Sequence, residues 1–226
     1  MAGPNTPSTA ILTMTAQQVR DAEREAMRTV SEPVLMARAA DAIAAECEAL
    51  LLERHGRTQG CRVVVLAGSG NNGGDALLAG ARLHYRGAAT TAVLVGPTAH
   101  AMGRGECEAA GALIIDAQPD APLNRAAARQ AVEDADLVID GIVGVGAKPG
   151  LREPADALVA AIPSRAIVVA VDIPSGLEVD SGVSTASHVR AHVTVTFTAP
   201  KPCLIEEPAA ASAGRVVVVQ VGVLRR

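Results

Sequence analysis

Short, unbroken runs of Val, Ile, Leu and Ala constrain the fold of this chain more than any other feature. Each run is closed by turn residues and is followed, after a loop, by an alanine-rich stretch long enough for a helix. The runs are Val63–Leu66, Ala92–Val95, Leu113–Ile115, Leu137–Ile139 and Ile167–Val171. Strands that are apolar at every position are buried on both faces, and strands that alternate with helices form parallel sheets. The pattern therefore predicts a three-layer α/β/α fold with a mostly parallel sheet.

The segments before and after this alternation complete the prediction. Two extra N-terminal helices are expected, because apolar residues recur at helical spacing upstream of Pro33 and a proline suits the first turn of the second helix. Two later strands are expected at Val193–Phe197 and Val216–Val221. Since no linker or internal repeat divides the chain, we expect one domain over residues 1–226, with residues 1–12 flexible.

Composition and charge exclude several functional classes. The 226 residues carry 20 Lys and Arg against 24 Asp and Glu, which argues against the basic face of a dedicated nucleic-acid binder. Only Tyr85 and Phe197 are aromatic, so the chain has no stacking platform for bases. No apolar run reaches the roughly 18 residues of a membrane helix, and no signal peptide is visible, so a cytoplasmic location is expected. The four scattered cysteines form no C-x-x-C pair, which disfavours a structural zinc site.

Polar residues follow four of the predicted strands. They comprise Gly68–Asp75, Asp140, Gly144–Gly150, Asp172–Gly176 and Lys201. Ligands of open parallel sheets bind beyond the carboxyl ends of the strands. We therefore expect these residues to meet in one site at that edge of the sheet.

The first of these segments contains a G-x-G-x-x-G pattern at Gly68, Gly70 and Gly73, which is typical of dinucleotide binding but also of a plain strand-to-helix turn. A dehydrogenase would carry an acid for the ribose after the second strand, and Val95–Thr98 has none. A kinase P-loop would end in Lys-Ser or Lys-Thr, and Gly68–Asp75 does not. Both classes are disfavoured.

Asp140, Asn72 and Ser175 offer only oxygen ligands, a set that suits a hard cation. These residues alone do not distinguish potassium, magnesium and calcium, and an aspartate at a strand end can instead cap the following turn. Lys148 could equally be a surface lysine, whereas Lys201, held between two prolines, could reach a phosphate or cap a sheet edge.

Several ordered motifs closely resemble the NAD(P)H-hydrate epimerase family, the YjeF N-terminal domain. They are Gly70–Asp75, Asp140 with Gly144-x-Gly146, Asp172–Gly176 and Phe197-x-Ala-Pro-Lys201. The resemblance implies a Rossmann-like epimerase, commonly dimeric, that interconverts the R and S forms of NADHX and NADPHX, cofactors hydrated on the nicotinamide ring. It also implies potassium as cofactor, held by Asn72, Asp140 and Ser175.

The resemblance also assigns the substrate contacts. They fall on Asn71, Asn72, Gly73, Gly74, Asp75, Gly144, Val145, Gly146, Ala147, Lys148, Pro149, Gly150 and Asp172. We hypothesise that Asp172 is the catalytic acid and base, because it ends a rigid strand at the centre of the sheet edge. Ala76 departs from the family, which usually has glycine there, and is expected to tighten the pocket.

Two further expectations concern partners and alternatives. The implied functional partner is an NAD(P)H-hydrate dehydratase, which repairs the S form and is fused to this domain in some relatives, and the implied assembly is a homodimer. The alternative function is a non-catalytic ligand-binding or protein-binding module on the same fold. Such a module would tolerate loss of the acids and of the Asn71–Asp75 loop, and this chain retains all of them.

Overall fold

One seven-stranded parallel sheet organises the computed structural model, which describes residues 12–117, 122–146, 148–184 and 186–222. The strands are β1 (Arg62–Ala67), β2 (Ala89–Leu94), β3 (Leu113–Asp116), β4 (Leu137–Gly141), β5 (Ile167–Val171), β6 (Val193–Phe197) and β7 (Arg215–Val219). Their spatial order is β3-β2-β1-β4-β5-β6-β7, and each neighbouring pair is parallel. The predicted fold class is confirmed.

Helices cover both faces of the sheet. They are α1 (Ala16–Ala26), α2 (Glu32–His55), α3 (Asn71–Tyr85), α4 (Ala101–Ala110), α5 (Pro122–Glu133) and α6 (Ala155–Ala160). In β1, Val63 and Val65 pack into the core beneath α2, α3 and α4, whereas Val64 and Leu66 pack into the core beneath α5 and α6. Successive strand residues point to opposite faces, so a continuously apolar strand fills both cores.

The two N-terminal helices are also confirmed. A capping box between Thr15 and Gln18 starts α1, and α2 ends at Gly56, whose φ of 68° is the left-handed conformation that glycine adopts readily. The beginning of α1 is held at the carboxyl edge of the sheet, because the Met14 N–H donates to the Pro200 carbonyl at 2.9 Å. Helix α1 therefore stands over the end of the sheet where ligands bind.

The helical alternation stops after β5, as the sequence rhythm predicts. Within the described parts of residues 172–192 and 198–214 there is no α-helix, and two short 3₁₀ turns lie at Pro202–Leu204 and Ala209–Ser212. Across the described ranges, no helix is both long and apolar enough to cross a membrane. Apart from Leu12, the segment expected to be flexible lies outside the described residues.

Candidate active site

A cavity of about 790 Å³ opens at the carboxyl edge of the sheet, where the strand order reverses between β1 and β4. This switch point is the usual ligand position in such sheets. Most of the predicted substrate contacts line the cavity: Asn71, Asn72, Gly73, Asp75, Gly144, Val145, Gly146, Lys148, Gly150 and Asp172. Gly74 and Pro149 are not part of its lining, and Ala147 lies outside the described residues.

The turn from β1 into α3 is so tight that it requires glycine. A Cβ at Gly68 would overlap the carbonyl oxygen of Ile142, and one at Gly73 would overlap the carbonyl oxygen of Gly68. This close approach turns the N-terminus of α3 toward the cavity, where free N–H groups and the helix dipole favour an anion. Asn71 is held by α2, since its Nδ2 donates to Oε1 of Glu32 at 3.0 Å.

Ala76, in contrast, does not line the cavity. It is fully buried in the core and faces β4, where a Cβ at Gly141 would lie 2.5 Å from its own. Gly74 is likewise turned into the core, where an added Cβ would lie 2.5 Å from Cε of Met36. These two residues of α3 therefore contribute to packing in the core and not to the cavity wall.

The three predicted metal ligands are linked by hydrogen bonds through the Val143 backbone, and of the three only Asn72 lines the cavity. The Ser175 Oγ donates to Oδ1 of Asp140 at 2.6 Å, and the Ser175 N–H donates to Oδ2 at 2.8 Å. Nδ2 of Asn72 donates to the carbonyl oxygens of Val143 and Val171, at 3.3 and 2.9 Å. The Val143 N–H in turn donates to the Ser175 Oγ at 3.0 Å. A carboxylate, a hydroxyl, a side-chain amide and two backbone carbonyls thus form one cluster.

The oxygen atoms of this cluster suit a hard monovalent or divalent cation, and Asn72 would bind it through Oδ1, because its Nδ2 is the atom that donates to the two carbonyls. The loop after β4 closes over the cluster so tightly that a Cβ at Gly144 would lie 2.9 Å from Cγ of Asn72. Burial raises the pKa of Asp140 to about 6 against the opposing effect of its hydrogen bonds from Ser175. Within the described ranges, no three His, Cys, Asp or Glu side chains are grouped to hold a metal.

Asp172 is the first residue after β5 and adopts a left-handed backbone conformation, with φ of 69°, which is rare outside glycine. Its Oδ1 accepts a hydrogen bond from the Thr196 Oγ1 at 3.0 Å and forms an ion pair with Nζ of Lys201. Strain of this kind persists only where the surroundings enforce it and is concentrated at functional sites. One carboxylate oxygen is anchored, and the residue forms part of the cavity wall.

Lys201 explains how Asp172 is held. Its side chain is completely buried, and Nζ also donates to the Thr196 Oγ1 at 2.9 Å and to the Phe197 carbonyl at 3.2 Å. The sequence left open whether Lys201 reaches a phosphate or caps a sheet edge. In the structure its main partner is instead the carboxylate of Asp172. A buried ammonium is tolerated when it is paired and hydrogen-bonded, and Lys201 is both.

Three acidic residues that line the cavity were missed by sequence reasoning: Glu23, Glu32 and Glu153. Glu23 of α1 and Glu32 of α2 both line it, although acids of an amphipathic helix ordinarily face solvent. The spacing of Glu23 in the sequence does not distinguish it from Asp21 and Glu25. Only the packing of α1 over the sheet edge brings Glu23 to the cavity.

Asp75 is a buried acid of the site whose environment disfavours its charged form. It is 7% exposed, and its Oδ1 has no hydrogen-bond partner among the described residues. Burial first, and then the negative charges of Asp172, Glu23 and Glu32, raise its pKa well above the ordinary aspartate value. Asp75 and Asp172 thus line one cavity, whereas Asp140 is fully buried and does not line it.

Comparisons with known proteins identify the family of this chain. The model of the family described as YjeF-related protein N-terminus matches residues 32–203. The bifunctional NAD(P)H-hydrate repair enzyme Nnr of Mycobacterium tuberculosis is 39% identical over 206 residues, which cover 90% of this chain and 40% of that protein. The chain therefore spans about two fifths of the length of this relative.

A second curated relative is similar over nearly its whole length. The NAD(P)H-hydrate epimerase of Clavibacter michiganensis is 36% identical over 219 residues, which cover 85% of this chain and 94% of that protein. Among solved structures, yeast YNL200c superimposes with a TM-score of 0.72 at 24% identity, covering 85% of this chain and 83% of the yeast chain. At that identity the likeness concerns the fold alone.

Proposed function

This chain belongs to the family of YjeF-related proteins, over their N-terminal region, and from that premise we propose that it is an NAD(P)H-hydrate epimerase. The reaction is the interconversion of the R and S forms of NADHX and NADPHX. One observation carries the proposal: the N-terminal turn of α3, the glycine-rich loop after β4 and Asp172, which Lys201 anchors, meet around a single cavity.

The substrate's hydroxyl is attached to a carbon beside a ring nitrogen. When the hydroxyl oxygen is protonated, the C–O bond breaks, water leaves with the bonding electrons, and the nitrogen lone pair stabilises the resulting cation. Water that returns to the other face inverts the centre. Asp172, anchored through Oδ1, can stabilise the cation and take the proton of the returning water, a contribution of about 10² to 10⁴ in rate.

The nucleotide part of the substrate is recognised by backbone rather than by a ribose acid. The N-terminus of α3 and the loop that includes Gly144 and Gly146 offer N–H groups for phosphate, and Lys148 and Arg152 are cations of the same wall. Lys148 therefore has a function in the proposal beyond that of a surface lysine. The contacts of Asn71–Asp75 and 144–150 with substrate remain predictions.

We further propose potassium as the cofactor, with Asn72, Asp140 and Ser175 as its side-chain ligands. The hydrogen bonds that connect these three side chains through the Val143 and Val171 backbone support the assignment, with Asn72 binding the ion through Oδ1. A bound cation would supply positive charge beside the cavity and would tie the start of α3 to the loops after β4 and β5.

A dehydratase that consumes the S form is the proposed functional partner. Support comes from the relative named a bifunctional repair enzyme, of which this chain matches only 40%. The homodimer and the cytoplasmic location implied by the resemblance remain predictions.

A non-catalytic binding module is the second candidate function. It is disfavoured because the strained backbone of Asp172 and the buried Oδ1 of Asp75, which has no hydrogen-bond partner among the described residues, both cost stability that binding alone does not require.

The deciding experiment supplies a mixed R/S hydrate pool to an S-specific dehydratase, with and without the purified protein. Without an epimerase, consumption slows to the spontaneous rate of R-to-S conversion when the S form is exhausted. We expect the protein to drive the pool to completion without such a slow phase. A slow phase of unchanged length would contradict the proposed activity.

A further inference from the structure

Inversion through a cation places two chemical demands on opposite faces of the substrate ring. The departing hydroxyl must receive a proton on one face, and the returning water must lose a proton on the other. A single carboxylate beside one face cannot serve both steps unless the ring turns over in the cavity. A carboxyl group from a second structural element would remove that need.

Glu23 is such a group. It reaches the cavity from α1, whereas Asp172 reaches it from the end of β5, and both side chains line the cavity wall. Three hydrogen bonds fix helix α1 over the site. The Met14 N–H donates to the Pro200 carbonyl next to Lys201, the Ala16 N–H donates to Oδ1 of Asp180 at 2.6 Å, and Nη1 of Arg20 donates to the Val145 carbonyl at 3.3 Å. The position of Glu23 is thus set by the same loops that surround the site.

The two carboxylates have contrasting surroundings. Asp172 is hydrogen-bonded by Thr196 and ion-paired with Lys201, whereas Glu23 is half-buried and forms no ion pair within the described residues. Burial and the charge of Asp172 raise the pKa of Glu23, and Lys201 and Arg20 only partly oppose this. Pairs of acids whose environments differ in this way commonly divide the roles of proton donor and proton acceptor.

We propose that Glu23 is a second catalytic residue of the epimerase and exchanges a proton with the substrate on the ring face opposite Asp172. In one direction the Glu23 carboxyl protonates the hydroxyl, the C–O bond breaks and water leaves. Water then adds to the other face and gives its proton to the Asp172 carboxylate. In the reverse direction Asp172 donates and Glu23 accepts, so the pair carries one proton in total. This inference rests on the proposed function.

The test compares Glu23→Gln with Glu25→Gln, the same substitution one half-turn along α1. Glu25 pairs with Arg28 at 2.9 Å, and its side chain is 46% exposed. Each protein receives the purified R form at mildly alkaline pH, where spontaneous protonation of the hydroxyl is slow, and the S form is followed by chromatography. We expect Glu23→Gln to lower kcat by about 10² to 10⁴ with KM nearly unchanged, and Glu25→Gln to match the wild type.

A second variant separates catalysis from folding. Glu23→Ala removes the carboxyl group and leaves room for acetate, so we expect added acetate to restore part of kcat in proportion to its concentration. Formamide, which has a similar shape but cannot donate a carboxyl proton, should restore none. Both Glu23 variants should melt at temperatures close to that of the wild type.

Three results would overturn the inference. A wild-type kcat in Glu23→Gln, a raised KM at unchanged kcat, or equal rescue by acetate and formamide would each show that Glu23 is not the proton donor. If the wild-type protein itself does not accelerate epimerisation, the proposed function fails as well. That outcome is distinguishable, because it precedes any comparison of variants.

Discussion

At the scale of single residues, the site contains charges that a fold optimised for stability would avoid. Asp75 is buried with one oxygen unpartnered, and burial and neighbouring acids raise its pKa. The folded state therefore binds its proton more tightly than the unfolded state does. Asp75 therefore contributes favourably to the free energy of unfolding below the ordinary aspartate pKa of about 4. This contribution is lost as the pH rises through the raised pKa of the folded state.

Asp75→Asn should remove this pH-dependent penalty. We expect the free energy of unfolding to rise by about 1–3 kcal/mol at pH 8 and to change little near pH 4, while epimerase activity falls. Urea unfolding at both pH values measures the difference. Asp21→Asn, at an exposed position of α1, is the control. Its effect on the free energy of unfolding should be no larger at pH 8 than near pH 4. A stability gain that is equal at both pH values would contradict the explanation.

Lys201 and Asp172 form one energetic unit. Lys201→Met leaves a buried carboxylate unpaired and should cost about 3–5 kcal/mol of unfolding free energy, whereas Lys201→Met with Asp172→Asn should recover most of that loss. A double-mutant cycle by denaturant unfolding measures the coupling. Additive losses would show that the ion pair does not hold this corner of the fold together. Asp172→Asn alone should also abolish most of the epimerase activity.

Sequence reasoning located the residues that end strands but not those that reach the site by tertiary packing. Asp140 and Asp172 were predicted because a carboxylate after a buried apolar run must lie at the sheet edge. The partner of Asp172 was not predicted, because Lys201 lies 29 residues away and meets it only when β6 pairs with β5. Glu23 resembles its exposed helical neighbours in every local respect.

At the scale of elements, the sequence located every strand of the described sheet, five of them from unbroken apolar runs, but not every boundary. Strand β2 begins at Ala89, three residues before the predicted start at Ala92. The prediction began too late because Thr90 and Thr91 interrupt the apolar run. Thr90 is nevertheless buried, since its Oγ1 donates to the Gly80 carbonyl at 3.3 Å. A satisfied hydroxyl can occupy a core position that a hydrophobicity pattern treats as a loop.

The close contact between α3 and α4 gives a matched test of element packing. A Cβ at Gly103 would lie 2.9 Å from the Gly74 carbonyl oxygen and from Cβ of Leu77, whereas a Cβ at Gly105 in the same helix would meet nothing within 4 Å. Gly103→Ala should lower the free energy of unfolding by about 1–3 kcal/mol, because α4 must move away from the helix that begins at the active site. The loss would be accompanied by reduced activity.

Gly105→Ala is the control for that substitution. At an exposed position of a helix it removes backbone freedom from the unfolded chain and should stabilise the protein by about 0.5–1 kcal/mol. Thermal melts of both variants provide the measurement. If the two substitutions changed stability in the same direction, the tight seam between α3 and α4 would not be the cause.

At the scale of the whole molecule, the site depends on the closure of distant chain segments around one sheet edge. Helix α1 is tied to the loop after β6 by Met14 and to the loop after β4 by Arg20. Asn72 links the start of α3 to the Val143 and Val171 carbonyls, 71 and 99 residues away. A cation at this junction would bind the folded state alone, because the unfolded chain does not bring these oxygens together.

Potassium should therefore stabilise the entire fold by mass action, by about 2.7 kcal/mol when its concentration is about 100 times Kd. We expect the melting temperature to rise as KCl replaces NaCl at constant ionic strength, because the proposed site would bind potassium in preference to sodium. Ser175→Ala should lower stability in both salts and abolish the difference between them, since Ser175 links Asp140 to the Val143 backbone. Ser181→Ala, at a partly exposed position outside the cluster, should retain the difference. Equal melting temperatures of the wild-type protein in KCl and NaCl would contradict a specific potassium site, whatever the activity proves to be.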